Sequence, residues 1–168
     1  MFVPFDTLPS TSRIWIYQSN RRFSSDEKAI IARSLHEYCD RWVAHGQPLK
    51  SSYLLPHDHF VVLAVDENFN QASGCSIDTS VQAVRDIGAA TGIDFFNREL
   101  ITFTDKSNGT FFIELKKLRE GYASGLWNEN TLVFDNVVAT KGALESGWLK
   151  PAAATWLKRY IPAEAVKS

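Results

Sequence analysis

Cysteine and histidine are the residues of this sequence best suited to nucleophilic chemistry. Cys75 lies in the segment Gly74–Asp78, which we predict to enter a helix, and exposed N–H groups at a helix N-terminus favour a thiolate. Ser76 or Asp78 would cap that helix, and its N-terminus would suit a small anion. A nucleophilic thiol also needs a base, and His45 is the imidazole that the fold could bring close. The competing interpretation is a small buried cysteine beside an ordinary helix cap.

A second pattern of chemical interest is the apolar run Val61–Val65, which is followed by Asp66 and Glu67. It has the form of a Walker B strand, in which the acidic residues support magnesium and polarise water. The phosphate-binding partner of that motif, G-x-x-x-x-G-K-[ST], is absent from the sequence. We therefore favour a buried strand that ends in polar residues, and ATP hydrolysis is not supported.

Composition argues against several classes of function. The chain has 168 residues, and its 18 Lys and Arg against 19 Asp and Glu give a net charge of -1. This balance argues against a general nucleic-acid binder and against a polybasic membrane-surface protein. The first residues show no signal-peptide pattern, and the longest apolar run, Phe60–Val65, is far shorter than a membrane span. We expect a cytoplasmic protein with no nucleic-acid or membrane partner.

Metal and disulfide chemistry also find little support. The two cysteines, Cys39 and Cys75, form no CxxC pair, which argues against a structural zinc site or a disulfide scaffold. His57 and His59 have the H-x-H spacing of metal ligands, but they would need further ligands, so a solvated turn is the better interpretation. We expect no metal and no cofactor.

The elements that must position these residues follow from hydrophobic periodicity and from helix-end signals. Ser24 and Glu27 have the spacing of a capping box, and Gly46 has the position of a residue that ends the first helix. The elements predicted in chain order are a strand at Arg13–Gln18, a helix from Ser24 to Gly46, an edge strand at Leu49–Leu55, a strand at His59–Val65, a helix at about Ile77–Ala90 and a strand at about Glu99–Thr104.

This order of strand, helix, strand, strand, helix, strand predicts an α+β fold of the ferredoxin-like (βαββαβ) type. The sheet would be antiparallel, with the first and third strands central and with both helices on one face. The chain would form a single domain over residues 1–168. Its core would span about 12–104, and an aromatic-rich C-terminal extension would span about 105–168.

The extension offers weaker signals. Asp105–Gly109 predicts a hairpin turn, so that Thr110–Leu115 would pair back on the fourth strand. We also predict a helix at Lys116–Tyr122, a strand at Thr131–Phe134 and a short helix at Pro151–Tyr160. Six large aromatic residues need burial, on the open face of the sheet or in a dimer interface: Phe111, Phe112, Trp127, Phe134, Trp148 and Trp156.

In a ferredoxin-like sheet, several of the polar segments would meet at one rim. The catalytic candidates there are Cys75, His45 and Asp66, and the remaining rim residues are candidates for binding a ligand. Those ligand-binding candidates are Arg13, Lys50, Glu67, Ser76 and Asp78. The same convergence is also compatible with a structural polar network.

Several stretches of the chain carry a resemblance to a known family: Val3–Phe5 with Leu8 and Pro9, Arg13–Asn20, Ala44–Lys50, Ala64–Glu67, Gly74–Asp78, Asn130–Phe134 and Thr140–Lys141. They resemble a family of small, uncharacterised bacterial proteins, mostly from Bacteroidetes, that often carry the label ABC transporter ATPase. The resemblance spans nearly the whole chain, but it implies no catalytic residues. The label conflicts with the missing Walker A motif and with the absence of an LSGGQ-like signature.

We favour a non-enzymatic module that binds a small ligand or a protein partner, and an edge strand or the aromatic tail would allow a homodimer. The first alternative is a Cys-dependent enzyme with Cys75 as nucleophile or redox thiol, His45 as base, and Asp66 or Asp78 as the orienting carboxylate. The second alternative is nucleotide hydrolysis, as the family label suggests. At this point the choice between binding and catalysis stays open.

Overall fold

The computed structural model of the chain describes residues 1–107 and 109–166. The chain divides into two compact units. Unit 1 comprises Met1–Asn97 and Ala139–Glu145, and unit 2 comprises Arg98–Val138 and the chain from Ser146 onward. The strand predicted at about Glu99–Thr104 therefore belongs to unit 2. Within the described ranges, no helix is both long enough and apolar enough to cross a membrane.

Helices and antiparallel strands are mixed along the chain, which confirms the predicted α+β class. The strands are β1 Arg13–Gln18, β2 Val43–Ala44, β3 Gln47–Pro48, β4 Ser51–Leu54, β5 Phe60–Val65, β6 Leu100–Thr104, β7 Thr110–Glu114, β8 Leu132–Phe134 and β9 Leu149–Pro151. The helices are α1 Ser25–Arg41, α2 Gly74–Thr91, α3 Leu118–Ala123, α4 Lys141–Gly147 and α5 Ala163–Val166.

The sheet of unit 1 has the order β1-β5-β4, and both strand pairs are antiparallel. Leu63 of β5 lies opposite Trp15 on one side and opposite Tyr53 on the other. All six residues of β5 are buried, as its uninterrupted apolar sequence predicts for a central strand. The order of the first three predicted strands is therefore confirmed.

Helices α1 and α2 pack in one core with alternate residues of β5, which confirms that they lie on one face of the sheet. Trp15 and Tyr17 of β1 pack against the same core. The buried members of that core contributed by β5, α1 and α2 are Val61, Leu63, Val65, Ile31, Leu35, Tyr38, Cys39, Val84 and Ile87.

The ferredoxin-like sheet also requires a fourth strand beside β1, and here the prediction needs correction. The predicted strand forms as β6, but it pairs with β7 and β8 in unit 2. Instead, the segment that contains Ala139 and Thr140 lies along the outer edge of β1. The Ile14 N–H donates to the Ala139 carbonyl, and Arg13 forms an isolated β-bridge with Thr140. Because β6 and β7 are joined by a tight turn, β6 gains a partner without closing a long loop.

The start of α1 confirms the predicted capping box. Ser24 Oγ accepts a hydrogen bond from the Glu27 N–H at 3.1 Å, and Glu27 Oε1 accepts one from the Ser24 N–H at 2.8 Å. These bonds satisfy two N–H groups that the first turn of a helix leaves without partners.

The predicted end of α1 at Gly46 was wrong, because the helix ends at Arg41. The chain continues through the short β2–β3 hairpin, in which His45 and Gly46 are the two turn residues. Their φ angles of 52° and 75° are both positive, as a type I′ turn requires. Gly46 therefore serves a hairpin turn, and His45 lies on that turn rather than on a helix.

The predicted N-cap of α2, Ser76 or Asp78, was also wrong. Ser73 is the N-cap, and its Oγ accepts from the Ser76 N–H at 3.1 Å. Ser76 Oγ in turn accepts from the Ser73 N–H at 2.7 Å, so Ser76 takes the place that Glu or Gln usually fills in a capping box. Gly92 ends the helix in the left-handed conformation with φ 71°, as predicted.

Unit 2 is built on a four-stranded sheet with the order β7-β6-β8-β9. The predicted pairing of β7 on β6 is confirmed, with Phe103 opposite Phe111. At the turn between them, Asp105 Oδ1 accepts from the N–H groups of Ser107 at 2.9 Å and Gly109 at 2.8 Å. Asn108, which belongs to the predicted turn, lies outside the described residues. The predicted strand at Thr131–Phe134 forms as β8.

Two of the six aromatic residues of the predicted extension, Trp127 and Phe111, contribute to a core within unit 2. Trp127 is almost fully buried, and its indole N–H donates to the Leu118 carbonyl at 2.8 Å. Phe134 and Trp148 are buried as well, whereas Trp156 remains 44% exposed. The buried members of that core are Phe103, Ile113, Leu118, Trp127, Val133, Ala152, Leu157 and Ile161.

The helix predicted at Pro151–Tyr160 needs correction. Pro151 ends β9, and two 3₁₀ turns follow at Ala152–Ala154 and Trp156–Tyr160. Thr155 separates them because its backbone is extended, and its Oγ1 caps the second turn by accepting from the Leu157 N–H at 3.2 Å. A threonine whose hydroxyl bonds a nearby N–H favours such a break over a continuous helix.

Candidate functional site

The rim predicted from sequence begins at the end of the unit 1 sheet. Arg13 and Ser51 both lie opposite Val65, the last residue of β5. The Asp66 N–H donates to the Lys50 carbonyl at 2.9 Å. This register brings Arg13, Lys50 and Asp66 to the same end of three neighbouring strands.

The two acidic residues that follow β5 hold the rim loop, residues 66–73, in place. Asp66 Oδ1 accepts from the Asn68 N–H at 3.0 Å, which closes a turn at the start of the loop. Glu67 Oε2 accepts from the Ala72 N–H at 3.1 Å, which draws the end of the loop back to its start. Glu67 Oε1 also lies 3.9 Å from Arg13 Nη1. The Walker-B-like carboxylates therefore have structural partners within the protein.

The middle of the rim loop is tied to the β2–β3 hairpin. Asn70 Nδ2 donates to the carbonyls of Gln47 at 3.3 Å and Pro48 at 3.2 Å. The hairpin itself packs against α2 through β2. Hydrogen bonds thus hold the rim loop at its start, its middle and its end.

The first turns of α2 are joined to α1 by a second set of hydrogen bonds. The Ser76 carbonyl accepts from Trp42 Nε1 at 2.9 Å and from Thr79 Oγ1 at 2.9 Å. The hydroxyls of Thr79 and Tyr38 lie 2.6 Å apart. Burial raises the pKa of Tyr38 to about 12, so its hydroxyl stays protonated at neutral pH. This network fixes the helix end that carries Cys75.

Cys75 and His45 are both exposed. Within the part of the chain that the structure describes, neither the Cys75 thiol nor the His45 ring makes a hydrogen bond or an ion pair. Cys39 is the buried cysteine, and burial raises the pKa of its thiol to about 11. The interpretation of Cys75 as a small buried residue was therefore wrong, but the thiol lacks the hydrogen-bonded base that nucleophilic catalysis uses.

The eight predicted rim residues thus divide into two groups. Arg13, Asp66, Glu67 and Ser76 bond with other residues of unit 1 through their side chains. Across residues 1–107 and 109–166, the side chains of His45, Lys50, Cys75 and Asp78 make no hydrogen bond or ion pair. Their catalytic and ligand-binding roles stay predictions.

Unit 2 contains a site to which no sequence motif pointed. It is an open surface pocket of about 320 Å³ whose lining residues are mostly exposed, Arg119 among them, and it is hereafter called the unit 2 cavity. Small-ligand sites typically have volumes of about 300 to 1,000 Å³, so the cavity is large enough for a small molecule. The lining residues are Glu99, Glu114, Leu115, Lys116, Arg119 and Tyr160.

The lining comes together at the open end of the β6–β7 hairpin. The Leu115 N–H donates to the Glu99 carbonyl at 2.7 Å, which holds the residue before β6 beside the residue after β7. A 3₁₀ turn at Leu115–Lys117 then leads into α3. Leu118 of α3 and Leu157 are fully buried in the same core, which brings α3 beside the 3₁₀ turn that ends at Tyr160.

Arg119 is the best-positioned charge of the cavity. Its guanidinium carbon lies 5.2 Å from the centroid of the Tyr160 ring, a cation–π contact. Among the described residues, no carboxylate forms an ion pair with Arg119. Lys116, in contrast, pairs with Glu114 at 3.4 Å on an exposed surface. Glu99 and Tyr160 lie far in sequence from the other lining residues, which fall within Glu114–Arg119, so the lining forms no local pattern. The cavity therefore could not be predicted from the sequence.

No group of three or more His, Cys, Asp or Glu side chains within the described ranges could hold a metal ion. Comparisons of the chain with protein-family models, with curated proteins and with solved structures find no match. The resemblance to the Bacteroidetes family therefore stays a prediction, and the functional argument rests on the geometry of the two sites.

Proposed function

We propose that this chain is a non-enzymatic module that binds a small ligand in the unit 2 cavity. The observation that carries the proposal is the position of Arg119, which lines the cavity, stacks on Tyr160 and pairs with no carboxylate of the described residues. The cation–π contact holds the guanidinium over the Tyr160 ring but leaves its N–H groups able to bind a planar anion such as a carboxylate.

The contrast with the rim supports the cavity as the binding site. At the rim, Asp66 and Glu67 each accept a hydrogen bond from a backbone N–H of the rim loop. A ligand that took these carboxylates would leave those part-buried N–H groups without their protein partners, which would offset part of its binding energy. A ligand at Arg119 displaces no ion pair.

A thermal-shift panel with two matched variants tests the proposal. Arg159 stacks on Trp156 at 5.8 Å much as Arg119 stacks on Tyr160, but it does not line the cavity. We expect at least one compound among L-amino acids, dicarboxylic acids and nucleotides with Mg²⁺ to raise the Tm of the wild type and of Arg159→Met. The rise should be about 3 °C at ten times Kd, and Arg119→Met should abolish it.

The proposal is overturned if no compound of the panel gives a Tm shift that differs between Arg119→Met and Arg159→Met. A shift with ATP and Mg²⁺ that persists in Arg119→Met would instead support nucleotide binding elsewhere in the chain. That outcome would favour the nucleotide-binding alternative over the unit 2 cavity.

Phe69 favours a second candidate function, the binding of a protein partner at the rim. Its side chain is 55% exposed, although the loop that carries it is held by the bonds of Asp66, Glu67 and Asn70. An apolar side chain on a loop that is already ordered loses little conformational entropy when a partner covers it.

Site-specific crosslinking tests this second candidate. A photoreactive phenylalanine analogue at position 69 should give a discrete protein adduct in cells, and the same analogue at Ile30, an exposed apolar position on α1, should not. Asn70→Ala should weaken the adduct because it releases the middle of the loop. An adduct that forms equally from both positions, or from neither, contradicts a specific protein interface at Phe69.

A further inference from the structure

We infer that the ligand of the unit 2 cavity is a small zwitterion that carries a carboxylate and an ammonium group on a compact apolar body. Free amino acids and dipeptides have this chemistry. The inference rests on the proposed function and adds the chemical class of the ligand.

Arg119 provides the carboxylate end of the site. A guanidinium presents parallel N–H donors that match the two oxygens of a carboxylate, and such charge-assisted bonds are stronger than those between neutral groups. Tyr160 contacts the guanidinium through its ring, so it neutralises none of the positive charge. The carboxylate of a ligand would therefore meet a positive group that already lies over the Tyr160 ring before binding.

Glu114 provides the negative side of the same cavity. It is the last residue of β7 and lies opposite Leu100, at the open end of the β6–β7 hairpin. Glu114 is only loosely engaged, because its pair with Lys116 spans 3.4 Å and both side chains are well exposed. A ligand ammonium can bind the Glu114 carboxylate without breaking a buried ion pair.

The mixed charge of the lining excludes simpler ligands. A phosphate or a dicarboxylic acid would place a like charge next to Glu114, and a simple cation would face Arg119 and Lys116. Like charges brought together in a binding site weaken binding strongly. A ligand with one charge of each sign meets attraction at both ends.

Leu115 and Tyr160 provide the apolar part of the lining. Together they suit an aliphatic side chain between or beside the two charged ends. L-leucine carries an ammonium, a carboxylate and an aliphatic side chain, which makes it a suitable probe. Glycyl-L-leucine has the same groups with the charges further apart, so the two probes distinguish an amino acid from a dipeptide.

Isothermal titration of the full chain with four probes tests the inference. L-leucine or glycyl-L-leucine should bind, and the better of the two identifies the spacing of the charges. N-acetyl-L-leucine, which lacks the ammonium group, and L-leucinamide, which lacks the carboxylate, should each bind at least about tenfold more weakly than L-leucine if the amino acid is preferred. If glycyl-L-leucine is preferred instead, the comparison uses the N-acetyl and amide derivatives of that dipeptide.

Variants assign each charge to its side chain. Arg119→Met should weaken binding of the zwitterion at least about tenfold while leaving the amide derivative unchanged, and Arg119→Lys should fall between the two. Glu114→Gln should reduce the preference for the free ammonium group over the acetylated one. Arg159→Met should bind every probe as the wild type does.

Equal binding of the zwitterion and its N-acetyl derivative overturns the inference, since the site would then recognise an anion, and the proposed function would stand. If neither probe binds but another compound of the thermal-shift panel binds through Arg119, the zwitterion is excluded and the proposed function again stands. If no compound binds through Arg119, both fail.

Discussion

The rim of unit 1 and the unit 2 cavity both collect charged side chains where strands end, but they differ in what those charges already bind. At the rim, Asp66 and Glu67 accept hydrogen bonds from the rim loop, and Glu67 also lies near Arg13. In the cavity, Arg119 makes a cation–π contact with Tyr160 and, among the described residues, no hydrogen bond or ion pair. A cluster of polar residues therefore indicates a binding site only where a charge is held in position without being neutralised.

The largest expected effect compares a cation that has hydrogen-bond acceptors, Lys141, with one that has none among the described residues, Arg119. Lys141 is buried in unit 1, and its Nζ donates to the carbonyls of Phe5 at 3.1 Å, Asp6 at 3.3 Å and Leu8 at 2.7 Å. Lys141→Met should lower the free energy of unfolding by about 3 kcal/mol, because three carbonyls lose their donor. Arg119→Met should lower it by no more than about 0.5 kcal/mol. Urea denaturation measures both, and equal losses would contradict the contrast.

The second effect tests whether the rim carries thiol chemistry. At pH 8, iodoacetamide should modify Cys75 at least about a hundredfold faster than Cys39, because Cys39 is buried and its pKa is raised to about 11. Peptide mass mapping over time measures the two rates, and Cys75→Ser should remove the fast phase. A Cys75 rate that still rises between pH 7 and pH 9 fits a binding module. A rate that is already constant at pH 7 would support the Cys-dependent enzyme.

The third effect concerns the hairpin that carries His45. Gly46→Ala should lower the free energy of unfolding by about 1 kcal/mol, since a residue with Cβ is strained at φ 75°. His45→Gly should raise it by about 0.5 kcal/mol because His45 bears the same strain at φ 52°. Chemical denaturation checks both values. A loss of stability in His45→Gly would show that the imidazole makes a contact that the hairpin turn does not explain.

The smallest expected effect is the acid sensitivity of a satisfied carboxylate in unit 1. Hydrogen bonds from Arg21 and from the Ser24 N–H lower the pKa of Glu27 from 4.5 to about 2. A lowered pKa adds stability that is present above about pH 4.5 and is lost as the pH falls through about 2. The stability difference between wild type and Glu27→Gln should therefore shrink over that range in urea titrations. In an Arg21→Met background most of this pH dependence should vanish, and its persistence would contradict the assignment.

Local signals explain which elements the sequence could predict. The capping box of Ser24 and Glu27, the apolar run of β5 and the Asp105 turn are all contained within a few residues, and each forms. The prediction that α1 ends at Gly46 failed because a glycine after a helical stretch is the same signal for a helix end and for a hairpin turn. The hairpin turn also requires a positive φ at His45, and a positive φ is uncommon for any residue other than glycine.

Pairing between distant segments explains what the sequence could not predict. β6 has the composition of a sheet strand, but its composition does not state which sheet it joins. The rim could be predicted because its residues lie next to strand ends, and the ferredoxin-like strand order brings those ends together. The unit 2 cavity depends on Arg119 meeting Tyr160 through the burial of Leu118 and Leu157, a contact that no spacing within the chain reveals.

The most direct test of the central claim is an NMR titration of the ¹⁵N-labelled chain with L-leucine, because it compares the two sites in one experiment. Binding at the unit 2 cavity should change the chemical shifts of the amides of Leu115–Arg119 and Tyr160, with no change at the rim loop or at Cys75 and Ser76. Changes centred on Glu67–Ser76, with Leu115–Arg119 unaffected, would contradict it and would return ligand binding to the rim.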